Sequence, residues 1–233
     1  MNVIPQRFKD GFVGLTGPLV RALIRRGVSP NVVTTLGTLV VIGSGIAFGY
    51  GAIRLGGALL LASGLLDILD GQVARQGAKM TTFGAFYDST LDRVGEGAVF
   101  SGLIFYFLTG PIPSAYKVPA IAAGLVGLVA SLLVSYTRAR AESLGVECKV
   151  GIAARAERIL LLGAPALVFG DGGPGSRGVL LFWIVAVLAF VSAVTVVQRV
   201  VHVARVARGA PPRSPIPRRE TLPGVAAARR RGH

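Results

Sequence analysis

Residues 67–75 read Asp67-Ile68-Leu69-Asp70-Gly71-Gln72-Val73-Ala74-Arg75, and residues 84–92 read Gly84-Ala85-Phe86-Tyr87-Asp88-Ser89-Thr90-Leu91-Asp92. The chain has 11 acidic residues, and four of them stand in these two runs beside some of its most apolar sequence. Asp67 and Asp70 are three apart, Asp88 and Asp92 four apart. On a helix of about 3.6 residues per turn, either spacing puts both carboxylates on one face. Two such helices facing each other close four carboxylates around one point, which would be a metal site. The flanks support helices: Ala58 to Leu66 and Val94 to Leu108 are long apolar runs without strand alternation. Carboxylates beside such sequence are costly without a partner. The plainer alternative is structural ion pairing, Asp70 with Arg75 or Asp88 with Arg93, but two cations do not neutralise four clustered acids.

Composition sets the class. Of 233 residues, 52% are hydrophobic and 15% charged, and the mean hydropathy is +0.63. These values describe an integral membrane protein with room for several spans of about 20 apolar residues. The net charge of +14 comes from basic residues between and after the hydrophobic segments. That distribution points to anionic lipid headgroups and a phosphate-bearing substrate, not to nucleic acid. The single cysteine, Cys148, excludes an intramolecular disulfide and a thiolate cluster, and reads as a small loop residue without a role. Pro5, Lys9 and Asp10 interrupt the first residues before a cleavable signal could form.

The expected fold is all-α: a polytopic membrane protein of six transmembrane helices with an N-terminal interfacial amphipathic segment. In residues 1–30, Phe8, Phe12, Leu15, Leu19, Leu23 and Ile24 recur near helical spacing among Arg7, Lys9, Arg21, Arg25 and Arg26. Such a segment lies along a membrane surface. Gly14, Gly17 and Pro18 predict two short pieces rather than one helix. Ser29-Pro30-Asn31 predicts a helix start, with capping oxygens and a proline suited to the first turn. A catalytic domain over 31–206 holds spans near 32–51, 55–74, 84–109, 115–140, 154–171 and 178–203. Glycines 37, 43, 45, 49, 51, 56 and 57 predict close approach of the first two spans. Residues 207–233, rich in proline and ending near Arg229, Arg230 and Arg231, read as a disordered basic tail. Cations crowd alternate ends of the spans, near residues 25, 75–79, 138–158 and 199–219; the opposite turns hold Arg54, Lys117 and Arg177. Both termini and the aspartates are therefore expected on the cytoplasmic side of the cell membrane.

The chemistry follows from the ligand types. Carboxylates without histidine or cysteine suit Mg²⁺, Mn²⁺ or Ca²⁺ over zinc. Four can hold two divalent ions, a recurring arrangement for displacement at phosphorus. Gly71 removes a side chain where a ligand approaches, Arg75 one turn on offers a fork to phosphate, and Thr81 adds a hydroxyl.

The spacing D-x2-D-G-x2-A-R-x8-G-x3-D-x3-D, met by Asp67, Asp70, Gly71, Ala74, Arg75, Gly84, Asp88 and Asp92, resembles the signature of the CDP-alcohol phosphotransferases. The resemblance implies six transmembrane helices, a homodimer and two divalent ions, Mg²⁺ with Mn²⁺ as a substitute. It implies transfer of a phosphatidyl group from CDP-diacylglycerol to an alcohol, with release of CMP. By the same resemblance, Asp67 and Asp88 touch both metals, Asp70 one and Asp92 the other, and Asp92 is also the catalytic base. Gly71, Arg75, Thr81 and the segment Asn31, Val32, Val33, Thr34 match positions that face the CDP-lipid.

Residues 135–142 and 154–158, together with Gln198-Arg199, bring cations to the ends of three spans and suggest an anionic acceptor. These stretches are similar to the actinobacterial phosphatidylinositol phosphate synthases, which implies inositol 1-phosphate as acceptor, held by Arg138, Arg155 and Arg199. A lysine is expected where Arg138 stands, and the two are not equivalent at a tight site. Glycerol 3-phosphate is the alternative acceptor. Topology alone also explains cytoplasmic arginines, and Arg140 or Arg158 could pair with Glu142, Glu157 or lipid phosphate. His202 reads as interfacial, without a partner. A divalent-cation transporter would also place acids in helices, but arginines beside its site would repel the cargo.

Overall fold

Seven helices form along the described residues, and no strand does: α1 Gln6–Arg25, α2 Pro30–Gly49, α3 Ile53–Gln76, α4 Thr82–Thr109, α5 Ser114–Ser143, α6 Arg155–Phe169 and α7 Val179–Gly209. The computed structural model of the chain describes residues 6–152, 154–173 and 175–209. The basic tail expected at 207–233 lies almost wholly outside these residues, as do the side chains of Phe8, Phe12 and Leu15.

The six expected spans coincide with α2 to α7. Three of them, α2, α5 and α7, are long and apolar enough to cross a membrane by length and composition. The others differ for visible reasons: α3 and α4 carry the aspartates, and α6 has only 15 residues, about 22 Å at 1.5 Å per residue.

The helices close a ring. α2 packs on α3 and α4, α3 on α6, α4 on α5, and α7 joins α5 to α6. The core of the ring is aromatic and aliphatic, with Phe48, Leu103, Phe107, Leu181 and Val185 fully buried. Residues of all six helices, among them Val41, Leu60, Val99, Ser131, Leu162 and Leu188, line a cavity at its centre. No Cα of α3 comes within 8 Å of one of α4. α2 lies against both instead, so side chains rather than backbones occupy the space between the two acid-bearing helices.

α2 and α3 approach closely, as expected, with the Ser44 hydroxyl on the Gly56 carbonyl at 2.7 Å, but backbones come nearest at other helix pairs. A Cβ at Gly45 would stand 2.3 Å from the Ala98 carbonyl oxygen of α4, and one at Gly57 would stand 2.8 Å from Gly163 O of α6. The tightest glycines therefore join α2 to α4 and α3 to α6, where backbone meets backbone. Between α2 and α3 the glycines mostly face side chains, as Gly56 faces Phe48.

Two further expectations are corrected. α1 is one helix through Pro18, because a lone proline removes a single amide donor while residues on either side of it pack on α3. Val20 is fully buried against Val33, Leu69 and Val73, and Thr16 exchanges hydrogen bonds with Gln72. α2 starts at Pro30 behind Ser29, as expected, yet the serine side chain makes no cap bond.

Candidate active site

The ends of α3 and the start of α4 build the site. Asp67, Asp70 and Asp88 each present a carboxylate oxygen within 4.8 Å of the others. The helical registers explain this: Asp67 and Asp70 lie a turn apart on α3, and the short link to α4 turns Asp88 back toward them. Asp70 is nearly buried and accepts the Thr34 hydroxyl at 2.8 Å, so α2 fixes its orientation. Asp88 Oδ1 is buried with no hydrogen-bond partner among the described residues. Three carboxylates held this close repel one another, and a cluster in which one member has a buried oxygen without a partner suits a hard cation.

Asp92, a turn beyond Asp88, points to α6. Arg155 Nη1 donates to it and, at 3.0 Å, to Asp67 Oδ1. Arg93 stands 3.6 Å away. The pairs Asp70–Arg75 and Asp88–Arg93 do not form; the arginine that bridges the acids comes from sequence far downstream.

A cleft opens beside the carboxylates. It is lined by Asn31, Thr34, Asp70, Gly71, Arg75, Thr81, Gly84 and Asp88. Thr81 is the N-cap of α4 and accepts the Gly84 amide at 2.9 Å, which leaves its own O–H free to donate. A Cβ at Gly71 would stand 3.2 Å from Arg75 Nη1, and one at Gly84 would crowd both Thr81 Oγ1 and Asn31 Oδ1. Both glycines keep the wall of the cleft clear. Val32 and Val33 are not among its lining residues: Val32 is exposed and Val33 belongs to the cluster around Val20.

The three arginines expected around one phosphate have separate neighbours. Arg155 lies on Asp67 and Asp92. Arg138, half-exposed, pairs with Glu142 at 2.9 Å. Arg199 is buried and donates to the carbonyls of Val150, at 3.0 Å, and Val134, which clamps the α5–α6 loop to α7. It remains near enough to Arg138 and Arg158 to feel their charge. His202 does find a partner, the Glu147 carbonyl at 3.0 Å. Cys148 is buried in the same loop.

Sequence reading missed Lys79, Glu96 and the partner of Arg158. Lys79 lines the cleft while its Nζ reaches the carbonyls of Gly27 and Val28. Arg158 pairs with Glu96. Glu96 lies one turn past Asp92, a lone acid in an apolar run, and that spacing was the signal.

The sequence model of the CDP-alcohol phosphatidyltransferases matches residues 27–195, most of the chain and every residue of the carboxylate cluster and cleft. The chain belongs to this family. It is thereby a transferase, and the cation-transporter reading falls. Among its relatives is an archaetidylinositol phosphate synthase of Methanothermobacter thermautotrophicus, 39% identical over 78% of this chain and 91% of the relative. A phosphatidylinositol phosphate synthase of Cutibacterium acnes is 38% identical over 86% of this chain and 97% of that protein. Crystal structures of the Mycobacterium tuberculosis phosphatidylinositol phosphate synthase superpose closely, at 34% identity. The form with CDP-DAG bound gives a TM-score of 0.72 over 86% of this chain and 98% of that one. The form in complex with manganese and citrate gives 0.75 over 88% and 96%.

Proposed function

We propose that this family member is a membrane phospholipid synthase that transfers a phosphatidyl group from CDP-diacylglycerol to a phosphorylated polyol, first of all inositol 1-phosphate, and releases CMP. The observation that carries the reading is the clustering of Asp67, Asp70 and Asp88 within 4.8 Å at the wall of a cleft that also holds Gly71 and Arg75. The inositol phosphate lipid synthases among its relatives, and the neighbour solved with CDP-DAG, support donor and acceptor alike.

The residues fit two divalent ions. Carboxylate oxygens alone, among them the orphaned Asp88 Oδ1, suit Mg²⁺ or Mn²⁺. Asp67 and Asp88 would touch both ions, Asp70 one and Asp92 the other. Bound there, the ions supply positive charge that neutralises the diphosphate and stabilises the departing CMP.

The chain's own groups do the rest. Asn31, Gly71, Arg75 and Thr81 receive the CDP moiety in the cleft, Arg75 as a fork on phosphate. Val32 and Val33 shape that segment from behind. Asp92 takes the proton from the acceptor hydroxyl as its oxygen attacks the lipid-side phosphorus. The bond from that phosphorus to the bridging oxygen breaks, and its electron pair leaves with CMP. Arg155, beside Asp92, binds the acceptor phosphate with Arg138 and with the Nη2 of Arg199.

In this reading α2 to α7 cross the bilayer as six spans over a catalytic domain of residues 31–206, and α1 lies along the interface with Arg21 and Arg25 exposed. The site faces the cytoplasm, because Arg25, Arg75, Lys79, Arg138 and Arg155 gather at its end while Arg54, Lys117 and Arg177 hold the other. The protein works as a homodimer. The test is an acceptor panel: purified protein, labelled CDP-diacylglycerol, Mg²⁺, and inositol 1-phosphate, glycerol 3-phosphate, inositol or serine. CMP release with inositol 1-phosphate alone is expected. Turnover with glycerol 3-phosphate alone would move the acceptor assignment to that alcohol.

A further inference from the structure

α4 and α6 face each other across the ring without touching through their backbones, since no Cα of one comes within 8 Å of the other. Gly95, Val99, Ile159 and Leu162 line the cavity between them. At the end nearest the carboxylates, side chains span the gap. Asp92 and Glu96 are four apart on α4, Arg155 and Arg158 three apart on α6, so each pair shares a helix face. Two rungs result, Arg155 to Asp92 and Arg158 to Glu96. Arg93 ties the acids together, 3.6 Å from Asp92 and 3.4 Å from Glu96.

Only the first rung belongs to the site described above. The second is deep, with the Arg158 and Glu96 side chains 6% and 11% exposed. Burying an ion pair costs desolvation that its attraction seldom exceeds, so an apolar pair would hold the helices together at least as well. What an apolar pair lacks is direction. A guanidinium–carboxylate bond fixes the rotation and height of the first turn of α6, and Arg155 sits on that turn.

We propose that Glu96 is a positioning residue: through Arg158 it sets the first turn of α6 so that Arg155 meets Asp92 and the acceptor phosphate. This deepens the transferase reading and rests on it. Glu96 itself touches neither the carboxylate cluster nor the CDP cleft.

The experiment is steady-state kinetics on Glu96→Gln and Glu96→Asp, with CDP-diacylglycerol and inositol 1-phosphate varied in turn. Glu96→Gln is expected to raise the acceptor KM about tenfold or more, the loss of roughly one directed contact, with the CDP-diacylglycerol KM nearly unchanged. Glu96→Asp, which keeps the charge, recovers part of that rise. A purely structural role would lower the active fraction and leave both KM values alone; that result, or equal rises in both, overturns the proposal. If Glu96→Gln cannot be purified, the double variant Glu96→Leu with Arg158→Leu is read instead. An elevated acceptor KM there supports the proposal, and a normal one overturns it. A wild-type enzyme that releases no CMP with any phosphorylated polyol would overturn the transferase reading together with this one, and shows before any variant is made.

Discussion

At the scale of single residues, Asp92 takes the proton and Arg155 holds the acceptor in the proposed reaction. Asp92→Asn keeps shape and loses the base, so transfer should fall by about 100-fold or more, the usual worth of a positioned base. CDP-diacylglycerol binding, measured by equilibrium partition into detergent-solubilised protein, should persist. Normal turnover in that variant would remove Asp92 from the base role. Arg155→Ala should raise the acceptor KM well beyond the donor KM; a selective rise for the donor would place the pocket elsewhere. The aspartates were legible in the sequence because helical spacing survives whatever the helices pack against. The arginine partners were not, since Arg155 meets Asp67 across 88 residues of chain, a separation that no local pattern carries. The second task of Arg199 was likewise hidden: beside the acceptor role read from its place at a span's end, two of its nitrogens hold carbonyls of the α5–α6 loop and α5.

At the scale of elements, the helix boundaries followed from apolar length and from punctuation such as Ser29-Pro30, so α2 to α7 were legible before any contact was known. Which helices come closest was not, because a glycine marks closeness without naming its partner. The structure makes that choice testable. A Cβ at Gly102 would stand 1.9 Å from the Gly45 carbonyl oxygen, while one at Gly97 meets nothing within 4 Å. Gly102→Ala should therefore destabilise the α2–α4 pair by about 1–3 kcal/mol, the cost of overpacking, read as a lower Tm in detergent. Gly97→Ala should leave Tm unchanged or slightly higher; equal losses in both would deny the close approach. The clamp on the α5–α6 loop gives a second case. Arg199→Met removes charge-assisted bonds worth about 1.5–3 kcal/mol each, and hydrogen exchange at residues 146–151 should rise more than elsewhere in the chain. Uniform exchange across α5, the loop and α7 would mean that Arg199 does not hold that loop.

At the scale of the whole molecule, six helices close a ring whose acid-bearing members α3 and α4 are kept apart by α2, and that gap is what gives charge a place inside an apolar protein. Orientation can be read chemically. Cys148 is the single cysteine and is buried, so a Cys148→Ala background leaves no native thiol. In it, an impermeant thiol reagent should label Gly173→Cys from outside intact cells and Lys149→Cys only after lysis; labelling of both from one side would reverse or break the six-span arrangement. The claim beneath everything else is that the carboxylates of α3 and α4 form one cation-binding centre. Titration of the purified protein with Mn²⁺, followed by electron paramagnetic resonance of the free ion, tests it directly. Two ions bound per chain are expected in the wild type, with Asp88→Asn binding far less tightly because it removes one of the three clustered carboxylates. Wild-type protein that takes up no Mn²⁺, or an Asp88→Asn variant that takes up as much, would contradict the account.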